Sequence, residues 1–478
     1  MKTSVIPVSY DRTQVQTGIM HIGVGNFHRA HQAFYTHLLL KDEDQRDWGI
    51  CGVALLPNDQ RLYQALHKQD NLYTLTVCGR DGHDEAYQIG SIVKLLWAGE
   101  SSEAILNKMA DKSIRIITLT ITEGGYNIDK ASGQFILDNP DIQHDLQNPA
   151  SPKTVFGYIA EGLRRRKITG HGPVTILSCD NLQHNGNTAR KAFTSFIKAQ
   201  DPELASWVET NVTFPNAMVD RITPAVAPND IARLNEKNGT NDEAPVYCED
   251  FIQWVIEDNF IAGRPAWERV GVEFTDDVTA YENMKLSLLN ASHTLLSYPA
   301  FLSGYRKVDD AMRDKRFANY LRTFMDKDIT PYVPAPGTTD LEVYKQTLIE
   351  RFANRSVSDQ LSRLCFDGAS KTPVYIMPNL IKMIADKADL TRITFWAAAY
   401  RRYLNRPVDD HGASYEINDP WLTDEDYQLI ASQPVDFLKI SPFRSTDLQK
   451  SEAFVSLFLK MVDDIERKGT MATLESIL

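Results

Sequence analysis

The stretch Gly18-Ile-Met-His-Ile-Gly23-Val-Gly25-Asn-Phe-His28 begins as a short apolar strand and breaks at two glycines. Residues 29–40 continue with the pattern of a helix. A strand, a glycine turn and a helix suit a dinucleotide, because glycine lets the backbone approach the pyrophosphate and the helix N-terminus offers free N–H groups. His28 replaces the third glycine of the GxGxxG pattern, so a tight strand–helix turn without a nucleotide is the alternative.

Several later apolar segments are followed by polar residues. In open α/β sheets, ligands bind at the carboxyl ends of the strands, where such residues would lie. Asp59 follows the segment 48–55 and is placed to accept the ribose hydroxyls of NAD, although a turn or N-cap role is the alternative. Glu123 follows the segment 113–122, and Asn181 follows Val174–Ser178. Both are candidates for the ligand crevice, and turn chemistry is the alternative for both. Asp59 would also repel the 2′-phosphate of NADP, but the nearby Arg61 weakens that preference.

The α/β pattern ends near residue 276, and helical periodicity dominates afterwards. At 478 residues the chain is too long for a single core. We therefore predict an α/β fold with two domains. Residues 1–276 form a Rossmann-type dinucleotide-binding domain, and residues 277–478 form a mostly α-helical domain that binds substrate.

Composition excludes several classes of protein. The net charge of −12 argues against nucleic acid as a partner, and no run reaches the roughly 18 apolar residues of a membrane helix. The five cysteines are scattered and odd in number, which indicates a reducing cytoplasm. His28 and His31 lack an acid or cysteine at ligand spacing, so we expect no metal.

The predicted second domain opens with an unusual helix. Glu282, Lys285, Asn290 and His293 share an arc of about 140° on a helix that turns about 100° per residue. A helix that only packed would place apolar residues on such an arc, and a solvated polar stripe is the alternative. An amine, an acid, an amide and an imidazole on one face therefore suggest a catalytic site.

Three more residues are candidates for contacts with a polar substrate. Asp220 lies in a short extended segment, where it could equally be the partner of Arg221. Arg363 and Lys371 lie in a loop-like stretch and could hold a hydroxylated or carboxylated molecule, with solvated surface cations as the alternative.

Four motifs together resemble the long-chain polyol dehydrogenases, the family of mannitol 2-dehydrogenase and the hexuronate reductases. They are residues 23–32, Ser178-Cys-Asp-Asn181 with Asn185-Gly186, Met218-Val-Asp-Arg-Ile-Thr-Pro224, and Lys285-x4-Asn290-x2-His293. Residues 180–187 and Glu123-Gly-Gly-Tyr126 are more similar to the mannitol dehydrogenases than to the hexuronate reductases. Mannitol dehydrogenases of this group can carry an acid directly before the ribose-binding Asp; here that position is Asn58, which leaves strict exclusion of NADP open.

The resemblance implies a role for each candidate residue. Lys285 would be the general acid/base, Asn181 and Asn290 would stabilise negative charge on the reacting oxygen, His293 would orient the substrate, and Glu282 would pass the proton to solvent. Substrate hydroxyls would bind to Asp220, Arg363 and Lys371. NAD would be held by Gly23, Val24, Gly25, Asn26, Phe27, His28, Asp59 and Glu123.

We therefore expect a cytoplasmic, metal-independent enzyme, a monomer or small homo-oligomer, that uses NAD to oxidise a polyol such as D-mannitol at C2 to D-fructose. A hexuronate oxidoreductase acting on fructuronate or tagaturonate is the main alternative, with arabinitol or sorbitol oxidation as further variants. A sensor that binds NAD(H) without turnover is the alternative from another class, and a zinc enzyme is a third.

Overall fold

The structure, a computed structural model, describes residues 3–129, 132–357 and 359–478. The chain forms two compact units, Met1–Thr279 and Ala280–Leu478. The strands, all in the first unit, are β1 Val5–Ile6, β2 Thr17–Ile22, β3 Gly49–Ala54, β4 Tyr73–Cys78, β5 Asp84–Ile89, β6 Ile92–Trp97, β7 Ile116–Leu119, β8 Val174–Ser178, β9 Val212–Thr213, β10 Ala217–Asp220, β11 Val246–Glu249, β12 Gln253–Glu257 and β13 Glu273–Thr275.

The α-helices of the first unit are α1 Asn26–Ala30, α2 Gln32–Leu39, α3 Gln60–Lys68, α4 Ala98–Ala110, α5 Pro140–Gln147, α6 Val155–Thr169, α7 Asn185–Gln200, α8 Pro202–Asn211 and α9 Pro228–Asn238. Those that continue into the second unit are α10 Thr279–Met284, α11 Ala291–Leu302, α12 Val308–Arg313, α13 Lys315–Thr323, α14 Leu341–Phe352, α15 Leu361–Cys365, α16 Gly368–Tyr375, α17 Met377–Ala385, α18 Thr391–Asn405, α19 Asp424–Ala431, α20 Glu452–Lys468 and α21 Thr470–Glu475.

A parallel six-stranded sheet forms the centre of the first unit, in the order β6-β3-β2-β7-β8-β9. Counted along the chain, these strands follow the order 3-2-1-4-5-6, which is that of the Rossmann fold. The predicted fold class is therefore confirmed. The switch in strand order lies between β2 and β7, whose carboxyl ends lead into the glycine turn and the Glu123 turn.

Alternating residues of the central strands face two separate cores. In β7, Ile116 belongs to one buried cluster and Ile117 to the other, and in β8 Leu177 and Ile176 divide in the same way. Side chains of a strand point alternately to its two faces, and a parallel sheet is covered on both. This two-sided burial explains why β3, β7 and β8 are buried along their whole length.

The predicted single helix over residues 29–40 is wrong in its bounds. The structure has two helices, α1 and α2, which are separated at His31 by non-helical backbone (φ −117°, ψ −84°). The helix begins earlier because Gly25 is its N-cap. The break is held by a tertiary contact, since Nε2 of His31 lies 2.9 Å from the carbonyl oxygen of Gln253.

Two smaller sheets complete the first unit, in the orders β1-β5-β4-β11 and β10-β12-β13. The strand-like run at 248–258 is divided between them: β11 pairs with β4 and β12 pairs with β10. The division occurs after Glu249, whose backbone N–H donates to Ile222 O (3.1 Å) and whose carboxylate accepts from Ile222 N (2.5 Å). These bonds turn the chain away from the first sheet.

The second unit is helical in the part that the structure describes. The helical periodicity predicted after residue 276 is realised, for example, in apolar stripes at 376–386, 393–404 and 453–463, which lie on α17, α18 and α20. Helix α11 is buried along its whole length and packs against α13, α15 and α18. None of the helices in the described ranges of the chain is long and apolar enough to cross a bilayer.

Candidate active site

The glycine turn after β2 has the geometry that a dinucleotide phosphate requires. Gly23 has φ +99°, a conformation that side chains disfavour, and a Cβ there would lie 2.1 Å from Thr120 O. Gly25 caps α1, and the N–H groups of the first helical turn have no partner within the helix. The turn therefore brings bare backbone and a helix N-terminus to the switch point of the sheet, which favours the nucleotide interpretation.

Asn26, Phe27 and Val24 stabilise this turn. The Asn26 carboxamide accepts a hydrogen bond from Arg29 (2.7 Å) and donates one to Pro224 O (3.4 Å). Phe27 stacks on His31, and Val24 is buried against β3, where a Cβ on Gly52 would meet it at 2.8 Å. Side chains of these three residues thus fix the backbone that would meet the cofactor.

His28, which stands where the third glycine was expected, is fully buried and stacks on His21 of β2 with ring centroids 3.3 Å apart. Burial and the neighbouring imidazole hold the pKa of His28 well below its usual value, and burial lowers that of His21 to about 3. Both rings are therefore neutral near pH 7. The third glycine of the pattern serves close packing between helix and strand, and here two stacked imidazoles do this.

Asp59 lies in a turn beyond β3, as predicted, but its carboxylate has a local partner. Its Oδ2 accepts a hydrogen bond from Leu56 N at 3.0 Å, immediately before α3. Asp59 thus fills the turn role, and as the N-cap of α3 it makes no side-chain hydrogen bond to that helix. Asn58 beside it is exposed. Because this residue is Asn rather than an acid, the proposed ribose site carries one carboxylate instead of two.

Glu123 begins a short 3-10 turn after β7, and it is exposed. The residue before it, Thr122, has φ +67°, an unfavourable conformation for a β-branched residue. Buried Asp180 holds this conformation by accepting hydrogen bonds from Thr122 N (2.8 Å), Ile121 N (3.1 Å) and the Tyr126 hydroxyl (2.7 Å). Asp180 thus joins the ends of β7 and β8, a role that the sequence did not predict.

Asn181 follows Asp180 directly, so the same carboxylate fixes the base of the Asn181 loop. Burial raises the pKa of Asp180 to about 6, against the opposing effect of the hydrogen bonds from Tyr126 and the two backbone N–H groups. Such a shift is typical of polar groups at functional sites.

Asn185 connects this loop to the strand that carries Asp220. Its carboxamide donates to Asp180 O (3.0 Å) and Ala217 O (2.7 Å) and accepts from Ala217 N (2.9 Å). Strand β10 runs from Ala217 to Asp220, and Asp220 is buried at its end. Arg221 donates hydrogen bonds to two backbone carbonyl oxygens, Ala30 O (2.6 Å) and Glu249 O (3.1 Å).

In the second unit, the Lys285 motif lies on one continuous helix from Thr279 to Leu302, but Lys285–Asn290 is a π-helix. Ala291 N–H donates to Leu286 O, five residues back. The spacing of about 100° per residue therefore does not hold across this segment, and the predicted arc is wrong in its angles. π-helical segments inside α-helices occur frequently at functional sites.

The four predicted side chains of this helix are nevertheless all buried: Glu282, Lys285, Asn290 and His293 have exposures of 4%, 7%, 8% and 9%. A solvated polar stripe would be exposed, so that alternative is excluded. Oδ1 of Asn290 is buried and has no hydrogen-bond partner among residues 3–129, 132–357 and 359–478. A buried carboxamide with unused bonding capacity suits a polar ligand.

His293 and Arg363 lie in neighbouring elements of the second unit. The His293 ring stacks on Phe352 with centroids 4.0 Å apart, and α15, which carries Arg363, packs against α11. The prediction of a loop for Arg363 and Lys371 is wrong, because they lie on the short helices α15 and α16. Gly368 and Pro373, residue types that usually interrupt helices, lie within α16.

Each of these two cations has a carboxylate partner that the sequence did not single out. Arg363 donates to Asp359 through Nε (2.8 Å) and Nη2, and Nζ of Lys371 lies 2.7 Å from Asp367 Oδ1. Lys371 also donates to Phe366 O at 2.7 Å, near the end of α15. The i,i+4 spacing of both pairs was a sequence signal that could have found them.

No group of three or more His, Cys, Asp or Glu suited to a metal ion occurs in the described part of the chain. His28 and His31, the spacing considered for zinc, instead contact His21 and Gln253.

Each unit thus carries a coherent part of the predicted site. The first unit has the Gly23 turn and the Asn181 loop at the carboxyl ends of β2 and β8, and Asp220 at the end of β10 in a different sheet. The second unit has a buried amine, amide and imidazole on one helix. An amine can exchange a proton with an alcohol, and carboxamides can stabilise an oxyanion.

Comparison with known proteins finds matches over nearly the whole chain. A sequence model of the mannitol dehydrogenase Rossmann domain matches residues 17–269, and one of the mannitol dehydrogenase C-terminal domain matches residues 277–466. A polyol:NADP oxidoreductase of Gluconobacter oxydans is 44% identical over 447 residues, which cover 93% of this chain and 92% of the relative. A mannitol 2-dehydrogenase of Aspergillus fumigatus is 40% identical over 476 residues, which cover 98% and 94%.

Two solved structures share the fold. The Pseudomonas fluorescens mannitol 2-dehydrogenase, in a ternary complex with NAD and D-mannitol, has a TM-score of 0.87 and 44% identity and covers 99% of this chain and 96% of its own. A D-sorbitol dehydrogenase in substrate-free form has a TM-score of 0.93 and 41% identity, with coverages of 99% and 100%. The resemblance inferred from the motifs is confirmed, and the chain belongs to the mannitol dehydrogenase family.

Proposed function

We propose that this protein is an NAD-dependent polyol dehydrogenase that oxidises D-mannitol at C2 to D-fructose and catalyses the reverse reduction. The observation that carries the proposal is the buried Lys285 on a π-helical segment, with Asn290 and His293 on the same helix, in a chain of this family. Relatives named mannitol 2-dehydrogenase and D-sorbitol dehydrogenase support polyols as the substrate class.

NAD fits the first unit because the Gly23 turn leaves backbone bare at the sheet's switch point. We assign residues 1–276 to NAD binding and residues 277–478 to substrate binding and catalysis. The residues proposed to hold NAD are Gly23, Val24, Gly25, Asn26, Phe27, His28, Asp59 and Glu123. Bound NAD supplies an acceptor for the hydride that leaves C2.

Lys285 acts as the general base in oxidation by taking the hydroxyl proton at Nζ, and as the general acid in reduction by returning it. An unperturbed lysine has a pKa of about 10.4, so the neutral amine is scarce at pH 7. The Lys285 side chain is buried, and burial favours the neutral form of an amine. Glu282, buried three residues earlier, is proposed to pass the proton to solvent.

Asn181 and Asn290 donate amide N–H groups to the C2 oxygen, where negative charge collects in the transition state. Removing one such donor typically costs about 3 kcal/mol of transition-state stabilisation. His293 holds a neighbouring hydroxyl, and Asp220, Arg363 and Lys371 hold the rest of the polyol. These assignments are supported by the motif resemblance and by the burial of Asp220, Asn290 and His293.

The cofactor preference needs a direct comparison of NAD and NADP. Asp59 opposes a 2′-phosphate, whereas Asn58 removes a negative charge and Arg61 adds a positive one at the same turn. The Gluconobacter relative is named a polyol:NADP oxidoreductase. We propose NAD as the principal cofactor, with measurable use of NADP.

Location and assembly are also proposals. All five cysteines are free and buried, which fits a reducing cytoplasm. A monomer or a small homo-oligomer is the proposed state, and sedimentation of the purified protein tests it.

The deciding experiment is a substrate panel with both cofactors, with and without a chelator. NADH oxidation is followed with fructose, fructuronate and tagaturonate, and NAD reduction with mannitol, sorbitol and arabinitol. We expect the highest kcat/KM for the fructose–mannitol pair, unchanged by the chelator. Faster turnover of a keto acid would make the protein a hexuronate reductase, and no NADH consumption with any substrate would make it a sensor.

A matched pair of variants connects activity to the proposed base. Lys285→Met removes the amine and keeps the length of the side chain, and it should abolish turnover. Lys460→Met makes the same change at an exposed position of α20 and should leave turnover intact.

A further inference from the structure

The Arg363–Asp359 pair in the second unit has the geometry of a fork. Nε of Arg363 donates to Asp359 Oδ1 at 2.8 Å, and Nη2 donates to Oδ2. A guanidinium binds a carboxylate best through two parallel N–H groups of one edge. Asp359 therefore occupies the Nε–Nη2 edge that would otherwise bind a carboxylate of a substrate.

The two members of this pair differ in exposure: the Arg363 side chain is 59% exposed and that of Asp359 only 11%. Burial raises the pKa of Asp359, but the hydrogen bond and charge of Arg363, together with His293, lower it below its usual value. Asp359 is therefore ionised near pH 7. Its buried carboxylate neutralises the positive charge of the exposed Arg363 guanidinium.

Lys371 is compensated in the same manner. Its ammonium lies 2.7 Å from Asp367 Oδ1 and donates to the carbonyl oxygens of Phe366 (2.7 Å) and Arg363 (3.3 Å). Leu364 O is a further acceptor at 3.4 Å. An ammonium has three N–H donors, so a polyol hydroxyl bound by Lys371 would replace one of these backbone carbonyls. Arg363 and Lys371, each paired with a carboxylate, thus add no net positive charge.

This cluster belongs with the proposed catalytic helix. Helix α15, which carries Arg363, packs against α11, which carries His293. Backbone bonds from Val308 N to Asp359 O (2.9 Å) and from Leu361 N to Arg306 O (2.9 Å) fix the segment independently of the Asp359 carboxylate.

From these contacts we propose that Asp359 determines the preference of the enzyme for neutral polyols and ketoses over sugar acids. It does so by occupying the carboxylate-binding edge of Arg363 and cancelling its charge, which leaves single N–H groups suited to hydroxyls. Asp367 likewise cancels the charge of Lys371. The inference rests on the proposed function and names the substrate class of that site.

The test changes Asp359 to Asn, which keeps the shape of the side chain and removes its charge. D-Mannitol and D-mannonate share a carbon chain and differ by one terminal carboxylate, so they are titrated into the NADH complex of each protein. Reduction of fructose and of fructuronate is measured in parallel. We expect the acid-to-neutral ratio, of affinity and of kcat/KM, to rise at least tenfold in Asp359→Asn.

Two further variants make the result specific. Asp463→Asn removes the same charge from another i,i+4 Asp–Arg pair, formed with Arg467 at exposed positions of α20, and should leave the ratio unchanged. Adding Arg363→Leu to Asp359→Asn should abolish the gain for the acids, because the released guanidinium is then gone.

An unchanged ratio in folded Asp359→Asn, or an equal rise in Asp463→Asn, would overturn the proposal. So would a wild-type affinity for mannonate equal to that for mannitol, a measurement that needs no variant. If the wild type turned over none of these substrates, the proposed function would be refuted instead. The ratio of the affinities for mannonate and mannitol would still decide the role of Asp359.

Discussion

Replacing Asp180 with Asn should change the pH dependence of stability in a direction that the structure fixes. Burial raises the pKa of this carboxyl group from its usual value of 3.8 to about 6. A group whose pKa is higher in the folded state stabilises the fold most at low pH, and that contribution is lost as the pH rises through the folded-state pKa. The variant has no proton to lose at this position.

The magnitude follows from these two pKa values. Between pH 5 and pH 8 the free energy of unfolding of the wild type should fall by about 1.4 kcal/mol more than that of Asp180→Asn. Chemical denaturation followed by tryptophan fluorescence at both pH values measures the difference. Asp141→Asn, at an exposed position of α5, is the matched control and should show no such difference.

Activity should also fall in Asp180→Asn. The carboxylate accepts bonds from Ile121 N, Thr122 N and the Tyr126 hydroxyl, and an Asn carboxamide must direct its NH2 group at one of these donors. An unmatched buried polar group costs about 1–3 kcal/mol, equivalent to about 5- to 150-fold in rate if the Thr122 turn and the Asn181 loop relax together.

We expect this loss as a lower kcat, with the KM for the ketose nearly unchanged. A stability difference that stays constant from pH 5 to pH 8 would refute the raised pKa of the buried Asp180 carboxyl group. Full kcat in a folded variant would refute its role in positioning Asn181.

Three other predictions concern the residues of the proposed mechanism. Lys285→Ala should abolish turnover and leave NADH binding, measured by fluorescence titration, nearly intact; a tenth of the wild-type rate at neutral pH would remove Lys285 from its role. Asn181→Ala and Asn290→Ala should each lower kcat about 10²- to 10³-fold with little change in KM, and steady-state kinetics showing a loss confined to KM would contradict the oxyanion assignment. Gly23→Ala should weaken NADH binding at least tenfold, because its Cβ would lie 2.1 Å from Thr120 O at φ +99°; a normal Kd would contradict the assigned turn.

The elements that were predictable are those encoded by local pattern. The strand and glycine turn at 18–25 and the strand Val174–Ser178 were readable because apolar runs and glycine have direct conformational consequences. The helix of the Lys285 motif was likewise predicted from its periodicity. These elements support the predicted Rossmann-type first domain and the mostly helical second domain.

Sequence patterns were less informative about where elements break. The interruption of the first helix at His31 depends on a bond to Gln253, more than two hundred residues away. The π-helix at Lys285–Asn290 likewise cannot be predicted from hydrophobic periodicity. Its residues remain helical, and only the spacing of their backbone hydrogen bonds changes. Ser287 in this segment accepts a bond from Asn379 of α17 at 2.8 Å, a contact made only in the folded unit.

What the sequence determined by itself is the backbone framework and the chemical types available to the site, because propensity and burial pattern are properties of neighbouring residues. What only the tertiary structure decided is which polar groups satisfy each other. Asp180 joins two strand ends and Asp359 neutralises Arg363, because a buried carboxylate must find donors wherever the fold brings them. The partner of a polar side chain is set by the path of the whole chain, so it cannot be inferred from the residues beside it.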